Sequence, residues 1–149
     1  MRAVVQRVLQ ASVAINGQLH SKIGAGFLVL LCVMDGDGEA DISYMIKKLT
    51  GLRVFEDGQG KMNLAIGDIK GEMLIVSQFT LAGDARHGNR PSFIQSAPPQ
   101  IGQDFYQRVC RGIAQAGIPV QTGVFAADMQ VSLINDGPVT ILLDSRKLF

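Results

Sequence analysis

Short apolar runs and stretches of alternating apolar and polar residues recur along most of the chain, and both patterns are typical of β-strands. The strands predicted in this way cover residues 2–9, 12–15, 26–33, 53–55, 61–64, 72–81, 120–122, 129–135 and 139–143. Residues 72–81 form the longest of these predicted strands. Asn16-Gly17 is a strong signal for a two-residue hairpin turn after the second strand.

Two segments have a helical period instead. The apolar positions of the first are Ala40, Ile42, Met45, Ile46 and Leu49, and those of the second are Ile101, Phe105, Val109, Ile113 and Ala116. Gly51 and Gly117 follow as stop signals. Many strands, hairpin turns and two helices without a regular strand–helix alternation predict an α+β fold. We therefore expect a single domain, residues 1–149, with a largely antiparallel, β-barrel-like sheet and two main helices.

The composition is that of a compact globular domain, with 47% hydrophobic and 18% charged residues. The apolar run at residues 27–33 is far shorter than the roughly 20 residues that span a bilayer. The first residues lack the apolar core of a signal peptide. We therefore expect a cytoplasmic protein without a membrane partner.

The chain has two cysteines and two histidines, and their spacing matches no zinc site. No nucleotide-binding glycine motif is present either, so the expectation is an activity without metal or cofactor. The net charge of +1 is too low for a broadly basic nucleic-acid binder. Any RNA contact therefore needs a local patch, and the loop residues Arg86, His87 and Arg90 form the one basic cluster of this kind.

Two polar segments interrupt apolar strands. In the first, alternation along a strand places Ser77 and Phe79 on one face and Gln78 and Thr80 on the other. These polar side chains either bond the backbone or form a site, and the pattern leaves both interpretations open. In the second segment, Asp136-Gly137 predicts a type I′ hairpin turn, although the following Pro138 leaves a functional cis peptide bond as an alternative.

The segments 61–64, 76–81, 88–93, 125–129 and 135–140, together with Gly123, resemble successive sequence blocks of the D-aminoacyl-tRNA deacylases. Members of this family remove D-amino acids from tRNA. The resemblance implies hydrolysis of the ester between the amino acid and the terminal ribose. It covers nearly the whole chain from Val5 onward, but not the tail after residue 143.

The resemblance assigns the chemistry to Ser77, Gln78, Phe79 and Thr80. Backbone N–H groups near Phe79 and Thr80 would stabilise the oxyanion of ester hydrolysis. Thr80 would act as a nucleophile, or it would position water while the 2′-hydroxyl of the tRNA assists, or it would bond the ribose. We favour positioning, because the sequence offers no evident base to activate a threonine hydroxyl.

The resemblance also implies a homodimer, in which a cis Gly137–Pro138 bond reaches the active site of the partner subunit. Its carbonyl groups would bind the substrate's amino group, and its rigid backbone would collide with an L side chain. Glycine has no side chain, so glycyl-tRNA, notably glycine mischarged on alanine tRNA, is an implied second substrate. Phe125 and Met129 would line the adenosine or amino-acid pocket. Independently of the resemblance, Arg86 and Arg90 of the basic loop cluster are expected to bind tRNA.

Two other functions remain open at this stage. In a sister class of the same fold the Gly-Pro bond is trans, and L-alanine is removed from threonine tRNA. A tRNA-binding module without turnover is the second alternative. The chain also departs from the family pattern in the loop, where Ala85 follows Asp84 and His87 replaces a basic or acidic residue. That departure concerns the contact with tRNA and not the two main motifs.

Overall fold

The computed structural model describes all residues from Met1 to Phe149. The strands are β1 (Arg2–Ile15), β2 (Gln18–Ile23), β3 (Gly26–Cys32), β4 (Phe55–Glu56), β5 (Met62–Leu64), β6 (Glu72–Ser77), β7 (Val120–Thr122) and β8 (Gln130–Asp144). The helices are α1 (Glu39–Gly51) and α2 (Pro99–Gln115), with a short 3-10 helix at Phe79–Ala82.

The long strand β1 organises the main sheet, because it pairs antiparallel with β2, β3 and β8. The strand order is β2-β1-β3-β6-β7, and β8 covers the length of β1. The sheet is nearly closed and barrel-like, which confirms the predicted α+β architecture with two helices. Two pairings, β3–β6 and β6–β7, are parallel. Each of these connections contains one α-helix, so the α-helices lie in the crossovers that parallel strands require.

Both faces of the central strands are buried, and this burial fixes their register. Phe27 and Val29 belong to a large core that includes side chains of α1 and α2, whereas Leu28 lies in a second core on the opposite face of β3. The helices contribute Ile42, Met45, Leu49, Val109 and Ile113 to the first core. These five are among the positions that the helical period predicted, whereas the predicted positions Ala40, Ile101 and Ala116 are exposed.

Two predicted breaks in strands are absent from the structure. β1 is one strand of 14 residues and not two short ones. β8 is one strand of 15 residues, so the predicted hairpin turn at Asp136-Gly137 is wrong. The physical reason is that β1 pairs with β8 on both sides of this position, and the ladder resumes after a bulge.

The prediction of a strand at residues 72–81 was wrong in two respects. The observed strand is shorter than predicted, and the longest strands of the molecule are β1 and β8. β6 ends at Ser77, and a 3-10 helix follows at Phe79–Ala82. The helix predictions are confirmed with small shifts, and Gly51 is the last helical residue of α1 and not its stop signal. Neither helix is long and apolar enough to cross a membrane.

Candidate active site

A cavity of about 550 Å³ opens where β6 leaves the sheet. One wall is the end of β6 with the residues after it, and the opposite wall is the segment 125–129. The lining residues named in the sequence prediction are Ser77, Gln78, Phe79, Phe125 and Met129. Two segments that are about 50 residues apart in the sequence therefore meet at one site.

Backbone hydrogen bonds hold the segment that follows β6 in place. The N–H of Gln78 donates to the carbonyl of Leu31 at 2.8 Å, and the N–H of Leu81 donates to the carbonyl of Gln78 at 3.2 Å. The guanidinium group of Arg2 donates to the carbonyl of Leu81 at 3.0 Å. None of these bonds has the N–H group of Phe79 or Thr80 as its donor. The turn is therefore held without either of these two N–H groups.

The predicted alternation of faces does not hold beyond Ser77, because the strand ends there. Ser77, Gln78 and Phe79 all line the cavity, although alternation separates Gln78 from the other two. Thr80 is exposed and lies just outside the cavity lining. The change from the end of β6 to the start of the 3-10 helix thus turns three consecutive residues toward one space, which an extended strand cannot do.

The hydroxyl group of Thr80 has an amide partner. Gln78 Nε2 donates a hydrogen bond to Thr80 Oγ1 at 2.5 Å. No carboxylate or imidazole bonds to this oxygen, so the contacts of Thr80 include no group that would remove its proton. The hydrogen bond from Gln78 is suited to fixing the orientation of the Thr80 hydroxyl group.

Sequence reasoning missed Tyr106, which lines the same cavity and is only 5% exposed. Its hydroxyl group donates to the carbonyl of Ile75 at 2.7 Å, and its ring centroid lies 6.2 Å from that of Phe125. The sequence feature that could have pointed to Tyr106 is its position on α2, one helical turn after Gly102, because Gly102 also lines the cavity. The helical period predicted only that this face was buried.

The residues Asp136, Gly137 and Pro138 protrude from β8 as a bulge. β1 pairs Gln6 with Thr140 and Val8 with Asn135, so β8 advances five residues while β1 advances two. The side chain of Asn135 closes the gap, because its Nδ2 donates to the carbonyl of Val139 at 3.0 Å and its Oδ1 accepts from the N–H of Val139 at 3.1 Å. The peptide bond between Gly137 and Pro138 is cis.

The bulge is exposed and does not line the cavity of its own chain. Arg7, a residue that is only 5% exposed, holds its base. Arg7 Nε donates to the carbonyl of Asp136 at 3.1 Å and lies 3.2 Å from Asp136 Oδ2. Arg7 Nη1 donates to the carbonyl of Val54 at 2.7 Å. The position of the bulge is therefore fixed relative to the core by a buried guanidinium group.

The predicted tRNA-binding arginines lie on the exposed loop that follows the 3-10 helix. Arg86 makes a two-pronged contact with Asp84, with distances of 2.9 and 2.6 Å. This neighbouring guanidinium group holds the pKa of the Asp84 carboxyl well below its usual range. Arg90 has no ion-pair partner in the structure, so its charge is the less neutralised of the two.

The comparisons with known proteins identify the family. The model of the D-Tyr-tRNA(Tyr) deacylase family matches residues 4–144. A D-aminoacyl-tRNA deacylase of Desulfitobacterium hafniense (strain DSM 10664 / DCB-2) is 55% identical over 149 residues, which is the whole of both chains. One from Myxococcus xanthus (strain DK1622) is 57% identical, and the match covers 97% of this chain and 95% of that relative.

Two solved structures are similar in fold. The c-Myc DNA Unwinding Element Binding Protein superposes with a TM-score of 0.92 at 41% identity, covering 97% of this chain and 98% of that one. A probable eukaryotic D-amino acid tRNA deacylase gives a TM-score of 0.81 at 18% identity, covering 95% and 97%, which supports the fold alone. The chain belongs to the D-Tyr-tRNA(Tyr) deacylase family, as the sequence motifs predicted, and it is therefore a hydrolytic enzyme.

Proposed function

We propose that this enzyme hydrolyses the ester bond of D-aminoacyl-tRNA and releases the free D-amino acid and tRNA. The observation that carries the proposal is the meeting of Ser77, Gln78 and Phe79 with Phe125 and Met129 around one cavity. An aminoacyl-adenosine end has apolar and polar parts, and the cavity offers both kinds of surface. The relatives named above as D-aminoacyl-tRNA deacylases support the choice of substrate.

In this proposal the exposed turn supplies the groups that act on the ester. The N–H groups of Phe79 and Thr80, which the turn does not use, bind the oxyanion that forms when water attacks the carbonyl carbon. Preorganised donors of this kind are worth roughly 3–4 kcal/mol each in well-studied hydrolases. The hydrogen bonds of Gln78, Leu81 and Arg2 keep the turn rigid, as such preorganisation requires.

Thr80 positions the attacking water in this proposal and does not attack the ester itself. Its hydroxyl group accepts from the Gln78 amide and contacts no base, and a threonine nucleophile needs a base at neutral pH. The vicinal 2′-hydroxyl of the terminal adenosine assists the reaction. The bond between the carbonyl carbon and the ribose 3′-oxygen breaks, and one proton of the water goes to this oxygen, which leaves as a hydroxyl group. The D-amino acid leaves as a carboxylate, and the second proton of the water passes to the solvent.

Rejection of L-amino acids is assigned to Gly137 and Pro138 of a second copy in a homodimer. These residues protrude and stay outside the cavity of their own chain, so they are available to a partner. The outward-facing side chains of β8 nearby include Ile134 and Leu142, which are 47% and 56% exposed. Burial of this apolar surface would favour such a dimer. The backbone carbonyls of the bulge would bind the substrate ammonium group, and an L side chain would collide with the bulge.

Two consequences belong to the same proposal. Glycyl-tRNA has no side chain to collide with the bulge, so glycine mischarged on alanine tRNA is a second substrate. Arg86 and Arg90, on the loop after the turn, contact the phosphate backbone of tRNA, with Arg90 the freer of the two. We also place the enzyme in the cytoplasm, where translation uses aminoacyl-tRNA.

The deciding experiment compares the deacylation of D-tyrosyl-tRNA and L-tyrosyl-tRNA under identical conditions in the presence of a chelator. We expect rapid release of D-tyrosine, while the L-ester decays at the rate measured without enzyme. Cleavage of the L-ester at a similar rate would contradict the assignment of L-rejection to the bulge. If neither ester is cleaved although the tRNA binds, the chain is a tRNA-binding module and the proposed reaction is wrong.

A further inference from the structure

The hydroxyl group of Tyr106 lies where β6 and β7 stop pairing. Ile75 and Thr122 are the last paired residues of these strands. The carbonyl of Ile75 accepts two hydrogen bonds, one from the Tyr106 hydroxyl at 2.7 Å and one from the N–H of Gly123 at 3.2 Å. A residue of α2 is thus bonded to the point from which the two strands diverge.

The two chains that leave this point become the two walls of the active-site cavity. β6 continues into Ser77, Gln78 and Phe79, and β7 continues through Gly123 into the segment 125–129. The carbonyl group of Ile75 is two residues before Ser77, and the N–H of Gly123 is two residues before Phe125. The bonds at Ile75 therefore hold the origin of both walls.

The side chains that line the cavity next to Ile75 and Gly123 are closely packed. A Cβ atom added to Gly123 would lie 2.5 Å from the sulfur of Met129, and one added to Gly102 would lie 3.6 Å from the ring of Phe125. The Tyr106 ring supports Phe125 from the same face of α2. Burial raises the pKa of Tyr106 far above its ordinary value, so the phenol keeps its proton and donates to Ile75.

We propose that Tyr106 is a positioning residue that sets the distance between the wall with Phe125 and Met129 and the wall with Ser77, Gln78 and Phe79. The hydroxyl group ties α2 to the strand that carries the reacting turn, and the ring supports the opposite wall. Tyr106 acts on the substrate through these walls and makes no step of the reaction. The inference rests on the proposed function, because it assumes that the aminoacyl-adenosine end enters this cavity.

Tyr106→Phe tests the inference, since it keeps the ring and removes only the hydroxyl group. We expect the KM for D-tyrosyl-tRNA to rise about fivefold with kcat within about twofold, because the separation of the walls determines how tightly the substrate binds. The reacting N–H groups should keep their place, since the bond from the Gln78 N–H to Leu31 holds the turn without Tyr106. Tyr44→Phe is the matched control. Tyr44, the only other tyrosine, lies half-buried on α1 outside the cavity lining, and its loss should leave both constants unchanged.

A second variant approaches the same point from β7. Gly123→Ala pushes against Met129, and the same rise in KM is expected. If Tyr106→Phe lowers only the unfolding temperature and leaves KM unchanged, the hydroxyl group is merely structural and the inference is wrong. A fall in kcat at unchanged KM would also overturn it.

The methyl resonances of the methionines give a readout that needs no activity. In Tyr106→Phe the Met129 methyl signal should shift, while that of Met45, which is buried on α1, should not. If the unmodified enzyme cleaves no D-ester, the proposed function fails, and this spectrum alone decides whether Tyr106 holds the wall. An unmoved Met129 signal would then overturn the inference.

Discussion

The α-ammonium group of Met1 lies 2.7 Å from Oδ2 of Asp37, and both side chains are fully buried. The carboxylate of Asp37 also accepts from the N–H of Met34 at 2.7 Å and lies 2.9 Å from Arg146 Nη2. The ammonium group donates to Ser145 Oγ at 2.5 Å. This buried ion pair therefore joins the start of β1, the loop before α1 and the residues that follow β8.

Asp37→Asn should destabilise the fold, because it leaves the buried ammonium group with only the more distant carboxylate of Asp41, at 3.9 Å. Removal of one partner from a buried pair typically costs about 3–5 kcal/mol. Urea unfolding would measure the change in the free energy of unfolding. Asp35→Asn is the control, since Asp35 is exposed two residues away. Equal stability of the two variants would mean that the pair contributes nothing.

Gly137→Ala should damage the bulge. Gly137 has φ of +127°, and an added Cβ would lie 2.7 Å from Val139 Cγ2 and 2.9 Å from Arg7 Nη2. We expect kcat/KM for D-tyrosyl-tRNA to fall about tenfold or more and the preference over the L-ester to narrow. Gly17→Ala is the control, because Gly17 also has a positive φ but no atom within 4 Å of the added Cβ. If kcat/KM fell equally in both variants, the loss would be due to lower stability and not to the bulge.

Thr80→Ala should keep measurable activity, within about tenfold of the unmodified enzyme, if the hydroxyl group only positions water. A D-tyrosyl-tRNA with a 2′-deoxy terminal adenosine should react about 100-fold more slowly, because the assisting group is missing. Single-turnover rates would separate these effects from product release. Complete loss of activity in Thr80→Ala, together with normal cleavage of the deoxy substrate, would instead identify Thr80 as the nucleophile.

Arg90→Ala should weaken tRNA binding more than Arg86→Ala, because Asp84 already neutralises much of the Arg86 charge. If Arg90 contacts one phosphate, the slope of log K against log salt should fall by about 1. Affinities measured between 50 and 200 mM salt would test this, as such contacts are sensitive in that range. An unchanged slope in both variants would place the tRNA elsewhere.

The two buried thiol groups should make the free energy of unfolding depend on pH in the alkaline range. Burial raises the pKa of both Cys32 and Cys110 from 9.0 to about 11. Between these values the unfolded chain loses protons that the folded chain retains, so the free energy of unfolding falls as the pH rises. The slope is at most about 1.4 kcal/mol per pH unit for each thiol. Replacement of both cysteines by alanine should flatten the curve between pH 9 and 10. Above pH 10 the buried Tyr106 phenol, whose pKa burial also raises from 10.0, adds a slope of its own.

Much of the fold was predictable from the sequence, because the patterns were local. The helical period placed Met45 and Val109 in the core, where the structure has them. The Asn16-Gly17 signal marks the turn between β1 and β2. These features depend on neighbouring residues alone, so no knowledge of distant contacts was needed.

The course of the chain at the site depends on distant contacts and was predicted wrongly. Phe79, Thr80 and Leu81 are ordinary strand formers, yet the bond from the Gln78 N–H to Leu31 fixes where the extended chain ends. Asp136-Gly137 favours a hairpin locally, but pairing with β1 keeps the strand continuous. Tyr106 was overlooked because the helical pattern shows which face of a helix is buried, and it does not distinguish a core residue from one that lines a cavity.

The bulge of β8 has a consequence for how this fold can change. Asn135 and Val139 join the strand across the three residues that protrude, and the pairing with β1 is intact on both sides. The protruding residues therefore contribute no rung to the ladder. A change at one of these positions would therefore alter the shape of the bulge, which Gly137 and the contact of Asp136 with Arg7 define, and would leave the register of the sheet as it is.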